Sequence, residues 1–209
     1  MELLVARWTS KELVLGIETT QEAIIFLEAI QKQIKIVDIY ADYQAGKVTI
    51  KLEGTKDNLK DALDITQNIY LFVKDMLYPD KDEYFTFNIG FLSKISGKTF
   101  PVKTLLRILT LQDHDPSQVN GAIKTRMDYE TLLALIGQLN QIFSEMPYEV
   151  ATSSLRDVLV TIVLIKNITI TDAIKLAKKK KIIAEDDLNR LKLSFEPEQA
   201  IEKCLKPTK

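Results

Sequence analysis

Along the first eighty residues the apolar positions switch between a period of two and a period near 3.6. Leu13, Leu15 and Ile17 alternate with Glu12, Val14 and Gly16, which predicts a strand. Thr19 and Glu22 have capping-box spacing, in which each side chain satisfies an amide left open at a helix start. Ala23, Phe26, Leu27, Ile30 and Ile34 then follow along one helical face. Val37, Ile39 and Ala41 alternate with Asp38, Tyr40 and Asp42, and Val48, Ile50 and Leu52 form a return strand after a turn at Gln44-Ala45-Gly46. Thr55 is placed to cap a long helix carrying Leu59, Ala62, Leu63, Ile69, Val73 and Met76. The predicted order over residues 1–80 is β-α-β-β-α.

The next stretch, 81–150, predicts β-α-β-α. Phe85, Phe87, Ile89 and Phe91 share one face of a strand, and Pro101 opens a helix with Leu105, Leu106, Ile108 and Leu111. A polar loop follows, then a short strand near Ala122–Thr125 and a helix capped by Asp128. A shift of 73 aligns Ile50-Lys51 with Ile123-Lys124 and Leu59 with Leu132, and a shift near 81 aligns Ile24-Ile25 with Leu105-Leu106. Either this is a degenerate repeat of the first module or two amphipathic helices aligning as such helices do. Residues 152–166 read as a buried helix, although the β-branched run Val158–Ile165 also suits a strand. A short helix over Asp172–Lys181 and two more short elements complete a small helical region, 151–209. The fold class expected is therefore α+β: one or two β-α-β-β-α modules, split ferredoxin-like or KH-like, followed by a C-terminal helical domain.

Composition narrows the chemistry. The 209 residues include 28 Lys+Arg against 29 Asp+Glu, one His and one Cys, and 46% are hydrophobic. That apolar fraction excludes a disordered tail. One cysteine closes no internal disulfide, and one histidine excludes an internal metal site needing two. The opening Met1–Leu13 does not read as a signal peptide, and the most apolar run, Val158–Ile165, is far short of the roughly 20 residues needed to cross a bilayer. A soluble, cytoplasmic protein with no membrane partner is expected. Residues 1–150 carry a net charge of -5 and residues 151–209 one of +4, which points to two surfaces with different partners.

Each candidate for chemistry has a structural reading beside it. Ser96-Gly97-Lys98-Thr99 resembles the end of a phosphate loop but lacks the earlier glycine, and Phe100-Pro101 interrupts it, so it reads as a turn. Asp113-His114-Asp115 has metal-ligand types, but consecutive residues do not converge on one ion, and Pro116 marks a turn. No Gly-x-Ser-x-Gly elbow accompanies any serine. The phenylalanine stripe has core patterning rather than that of an RNA-stacking sheet. A carboxylate enzyme using Asp38 and Asp42 would need a cleft. Neither catalytic residues nor a metal or cofactor are expected.

Two basic features remain. Tyr40, Lys47 and Lys51 lie on the first hairpin, where a tyrosine beside ammonium groups can stack a base and hold phosphate, although Asp38 and Asp42 share the face. Lys175 with Lys178, Lys179, Lys180 and Lys181 is the sharpest charge cluster. Four consecutive lysines wrap a helix instead of forming a stripe, and contacts from them to phosphate would be salt-dependent. Ile170–Lys192 also fits a helix-turn-helix with Asp186–Leu191 as recognition helix, but Glu185, Asp186 and Asp187 would then face phosphates.

The opening strand into Glu22-Ala23-Ile24-Ile25-Phe26-Leu27, the strand Lys47-Val48-Thr49-Ile50-Lys51-Leu52-Glu53-Gly54, and the ending resemble an archaeal, chiefly crenarchaeal, family of uncharacterised proteins known only as a domain of unknown function. In the ending the resemblance is carried by Ser154-Leu155-Arg156, Ile170-Thr171-Asp172-Ala173, Leu191-Lys192-Leu193 and Glu198-Gln199-Ala200-Ile201-Glu202-Lys203. The resemblance spans most of the chain. It implies an archaeal cytoplasmic protein and supplies no functional residues. The function expected is a non-catalytic binding protein associated with RNA or a ribonucleoprotein, the ribosome among them. The alternatives are a protein-interaction or assembly factor and, third, a helix-turn-helix DNA-binding regulator.

Overall fold

A computed structural model of the chain describes residues 8–186, 188 and 190–206. The architecture is mixed α and β. The chain divides into two compact units, residues 1–97 with 118–124 and residues 98–117 with 125–209.

The first unit opens with β1 (Trp8–Gly16), α1 (Thr20–Gln33), β2 (Asp38–Gln44), β3 (Lys47–Thr55) and α2 (Lys56–Leu77). The strands form an antiparallel sheet in the order β1-β3-β2. Leu13 and Ala41 flank Ile50, and Ile39 faces Leu52, so the alternating apolar residues share one face. That face meets Phe26, Ile30, Ile69, Val73 and Met76 of the two helices in a fully buried core. Thr19 caps α1 by accepting from the Glu22 amide at 3.1 Å. Thr55 precedes α2, but its side chain makes no capping bond. Gly54 has a packing reason, since a Cβ there would meet Val37 Cγ1 at 2.9 Å.

The middle stretch contains β4 (Phe85–Asn88), α3 (Ile89–Ser96), α4 (Val102–Leu111), β5 (Ser117–Val119), β6 (Ala122–Thr125) and α5 (Tyr129–Ser144). The strand expected to run through Phe91 stops at Asn88. Asn88 accepts from the Phe91 amide at 2.9 Å and so acts as the N-cap of a helix the periodicity missed. Phe87 and Phe91 are both buried, but on a strand and a helix respectively. Gly97, left-handed at φ 68°, ends α3, so Ser96-Gly97-Lys98-Thr99 is a helix-ending turn. Asn120 and Gly121, both at positive φ, close a hairpin between β5 and β6, which makes Ser117–Val119 a strand where a loop was expected. The sheet order is β4-β6-β5, so here too the last strand lies in the middle. The sequence shifts pair β3 with β6, α2 with α5 and α1 with α4. The elements β4 and α3 belong to the first unit, and α4 and α5 to the second.

The second unit continues with α6 (Ser153–Lys166), α7 (Ile170–Lys179), β7 (Ile183–Glu185), β8 (Leu191–Leu193) and α8 (Pro197–Leu205). The β-branched run resolves as a helix. Thr152 caps it, Asn167 ends it in the left-handed region, and it is buried on most sides because it packs against α4, α5, α7, α8 and β8. The region 151–209 is not purely helical, since β7 and β8 pair antiparallel. Among the described residues, no helix is long and apolar enough to cross a membrane.

Candidate nucleic-acid interface

The hairpin residues singled out in the sequence do come together. Tyr40 stands directly opposite Lys51 across β2 and β3, and Lys47 lies two rows along the same solvent face, opposite Gln44 and Gly16. Tyr40 is 57% exposed. The register also brings Glu12 opposite Lys51, Asp38 opposite Glu53, and Asp42 opposite Thr49. Lys51 Nζ is ion-paired to Glu53 at 2.6 Å, and that hydrogen bond and charge raise the ammonium above its ordinary value. Four carboxylates against two ammonium groups leave this face without the positive potential that phosphate needs.

The second set is arranged differently. Thr169 caps α7, accepting from the Asp172 amide at 3.1 Å, so the helix begins at Ile170. Lys175 and Lys178 sit on one face with Thr171 and Ile174, beside a recess of about 490 Å³. Both are ion-paired, Lys175 with Asp172 at 3.5 Å and Lys178 with Glu185 at 2.5 Å. The helix ends at Lys179, and the backbone turns left-handed at Lys181, φ 55°. The four lysines therefore do not wrap one helix. Lys179 and Lys181 are exposed and form no ion pair among the described residues. Lys180 Nζ donates to the Lys206 carbonyl at 3.2 Å, which ties the end of α7 to the end of α8.

More lysines meet there. Burial pushes the Cys204 thiol up, and the nearby charges of Lys180 and Lys166, the last residue of α6, act against that shift. Lys203 lies over the Phe195 ring, 3.3 Å from its centre, and Lys206 pairs with Glu202 at 2.6 Å. The C-terminal ends of α7 and α8 thus bring Lys180 and Lys206 together, with Lys179 and Lys181 adjoining in the chain, and Lys166 at the end of α6 acts on the same Cys204 thiol. Cations there offset the negative ends of three helix dipoles. The position of each lysine, Lys166 in the last turn of α6 and Lys206 at the C-cap of α8, was the signal that could have joined them to the run.

No recognition helix forms among the described residues. Glu185 ends β7, and Leu191 begins β8. Asp186 accepts from the amides of Leu188 and Arg190 at 3.0 and 2.9 Å and holds the chain in a turn; Asp187 lies outside the described residues. The Arg190 amide in particular holds the Asp186 carboxyl well below the usual range. The Asp113-His114-Asp115 segment is also a turn. Both aspartates are left-handed, and the His114 carbonyl accepts from Thr125 Oγ1 and the Arg126 amide.

A family model described as "Uncharacterized protein conserved in archaea (DUF2067)" matches residues 15–202. The chain belongs to this archaeal family. No curated protein and no solved structure matches it. The matched span includes the hairpin face and most of the lysine cluster, leaving out Lys203 and Lys206.

One polar cluster in the first unit went unrecognised in the sequence. Glu22 is fully buried. Its Oε2 accepts from the Glu18 amide and the Tyr78 hydroxyl, both at 2.9 Å, while Oε1 faces Lys74 Nζ at 2.7 Å. The capping-box carboxylate thus reaches past Thr19 to the preceding amide and also neutralises a lysine of α2. Lys74 lies 4.9 Å from the centre of the Tyr78 ring and 5.7 Å from that of Tyr70. The spacing of Tyr70, Lys74 and Tyr78, one turn apart, was the available signal. A recess of about 570 Å³ opens beside them, with Asp80 and Tyr84 on its rim.

Asp80 is held at about 2 by the hydrogen bond from Lys124, aided by the Tyr84 amide. A carboxyl depressed in the fold contributes stability above its unfolded value of 3.8, and that contribution is lost as pH falls through the folded value. The melting temperature should therefore drop between about pH 4 and pH 2. In Asp80→Asn that acid-side drop should shrink, read by thermal melts across the window. Equal drops in both proteins would show that Asp80 is not its source.

Proposed function

We propose that this protein is a non-catalytic, cytoplasmic RNA-binding or ribonucleoprotein-associated protein whose phosphate contacts come from the lysine cluster of the second unit. The observation that carries this reading is the meeting of Lys180 and Lys206 where α7 and α8 end, beside Lys179 and Lys181, which have no carboxylate partner among the described residues. A cluster of that kind holds phosphate by charge alone, with affinity that falls as salt rises. Lys47, Lys51 and Tyr40 of the hairpin contribute less, since their acidic neighbours repel a phosphate backbone.

The β-α-β-β-α order with β3 between β1 and β2 supports a split ferredoxin-like or KH-like module in the first unit. No Gly-x-x-Gly clamp accompanies it, so its likeness to RNA-binding modules is one of architecture.

The test is binding of a labelled single-stranded RNA by the full chain at several salt concentrations, beside the triple variant Lys179→Ala/Lys180→Ala/Lys181→Ala. Wild type should bind with a negative slope of log affinity on log salt. The variant should bind more weakly, with the slope reduced by about 1 for each phosphate no longer held. Equal binding and equal slopes would sink the assignment to this cluster. Wild type that neither binds RNA nor moves with ribosomal subunits on a sucrose gradient would sink the RNA reading itself. A second reading, a protein-interaction factor, has its own support in the second unit. An apolar groove of about 500 Å³ runs between α4 and α8, lined by Leu111, Ile201 and Leu205 and bounded by the Arg107–Glu198 pair at 2.6 Å.

A further inference from the structure

The two outer strands of the β1-β3-β2 sheet are protected to different degrees. On β1, Lys11 lies opposite Leu52 and so shares the face of the sheet that carries the core residues. A charge on that face discourages another strand from adding to the edge, because pairing would bury it. On β2 the corresponding positions are Ile39, Ala41 and Tyr43, opposite Leu52, Ile50 and Val48. The strand has no lysine and no proline. Among the described residues no strand pairs with its outer edge. Beside it, Ile24, Leu27 and Ile30 of α1 with Ile39 and Ala41 of β2 line an apolar groove of about 360 Å³, and Ile24 is 53% exposed.

We infer that a second copy of this chain pairs with β2 in antiparallel fashion about a twofold axis at Ala41, joining the two sheets edge to edge and covering the groove. Charge selects both the occupant and the register. Directly opposed residues share a face of the sheet, so the axis must pass through a residue and not between two. An axis at Tyr40 would set Asp38 against Asp42, and one at Asp42 would set that carboxylate against itself. Axes at Ile39 or Tyr43 would leave only three paired residues of the seven. At Ala41 all seven pair, with Tyr40 opposite Asp42, Asp38 opposite Gln44, and Ile39 opposite Tyr43. Each acidic side chain then meets a hydrogen-bond donor, and each apolar one meets another beside the groove. The sequence Asp38-Ile39-Tyr40-Ala41-Asp42-Tyr43-Gln44 is self-complementary about its centre, which is what an isologous contact requires.

The test uses the full chain. Sedimentation equilibrium of the wild type should give a concentration-dependent mass approaching that of two chains. Tyr40→Asp places like charges opposite each other at two symmetry-related positions and should weaken self-association about tenfold. Tyr40→Asp/Asp42→Lys should restore it, since the opposed charges then attract. Ala41→Cys, whose new thiol lies on the axis, should form a linked dimer on mild oxidation, whereas Ser10→Cys on β1 should not. Cys204 is buried and does not compete. Thermal melts establish that each variant is folded. A single-chain mass at every concentration, with Ala41→Cys linking no faster than Ser10→Cys, would overturn the proposal. So would a dimer indifferent to both charge variants.

Discussion

Replacing Glu22 by alanine should lower the unfolding free energy by about 3 kcal/mol, the low end of the range for breaking a buried ion pair, because Lys74 keeps some contact with solvent. The loss has two sources. The substitution leaves Lys74 partly buried without its counter-charge, and it strips the Glu18 amide and the Tyr78 hydroxyl of their acceptor. Lys74→Met should cost less than Glu22→Ala, since it leaves the carboxylate with two donors and keeps most of the packed stem. In the double variant the two losses should fall short of adding, because the interaction can be removed only once. Alkaline pH reads the same cluster. Burial acts against the Lys74 ammonium, but the Glu22 carboxylate outweighs it and raises the group above its ordinary value. Burial and then Glu22 raise the Tyr78 phenol. Both contributions are complete below the unfolded values, near pH 10, and are lost as pH rises through the folded ones. Stability should therefore decline above about pH 10 in wild type and decline less in Glu22→Ala. Urea unfolding across that range checks both statements, and a variant within 1 kcal/mol of wild type at neutral pH would contradict the first.

Leu159→Ala should be of similar size, about 3 kcal/mol, within the range for leucine truncation in packed interiors. Leu159 is fully buried in the centre of α6, among Leu155, Val158, Ile162 and Val163. The core cluster it belongs to draws on several elements of the second unit, including Ala177 of α7, Leu191 of β8 and Ala200 of α8, so a void there cannot readily collapse. Alanine is the better helix former by a few tenths of a kcal/mol, which works against the loss. The net sign therefore separates packing from propensity. Denaturant unfolding with an unchanged m-value and a lowered midpoint is expected. A change near zero would mean that α6 is not the centre of that core.

How far each feature shows in the sequence follows from the range of the interaction behind it. The elements β1, α1, β2, β3 and α2 are legible because each buries a single face and so writes its period into the chain. The caps Thr19 and Asp128 are legible because their partners lie three residues away. Asn88 and the Asn120-Gly121 turn are local as well, but the alternating phenylalanines and the polar loop mask them. The run Val158–Ile165 carries no usable period because α6 is surrounded, and burial on most sides erases amphipathicity. Asp186–Leu191 fits a recognition helix by its spacing, yet Leu191 begins a strand, since β8 is held by β7 and by a bridge from Val150, far away in the chain.

The candidate site divides in the same way. Sequence alone determined that Tyr40 and Lys51 share a face, because strand alternation and hairpin register are local matters. It also determined that the lysines 178–181 end a helix, and that no paired histidines or cysteines are available for metal or disulfide chemistry. Only the tertiary structure decided which charges cancel. The sheet brings Glu12 opposite Lys51, α7 and β7 bring Lys178 to Glu185, and the packing of α7 and α8 brings Lys206 to Lys180. Coulomb interactions depend on distance in space, and residues tens of positions apart in the chain acquire that distance only when the core closes.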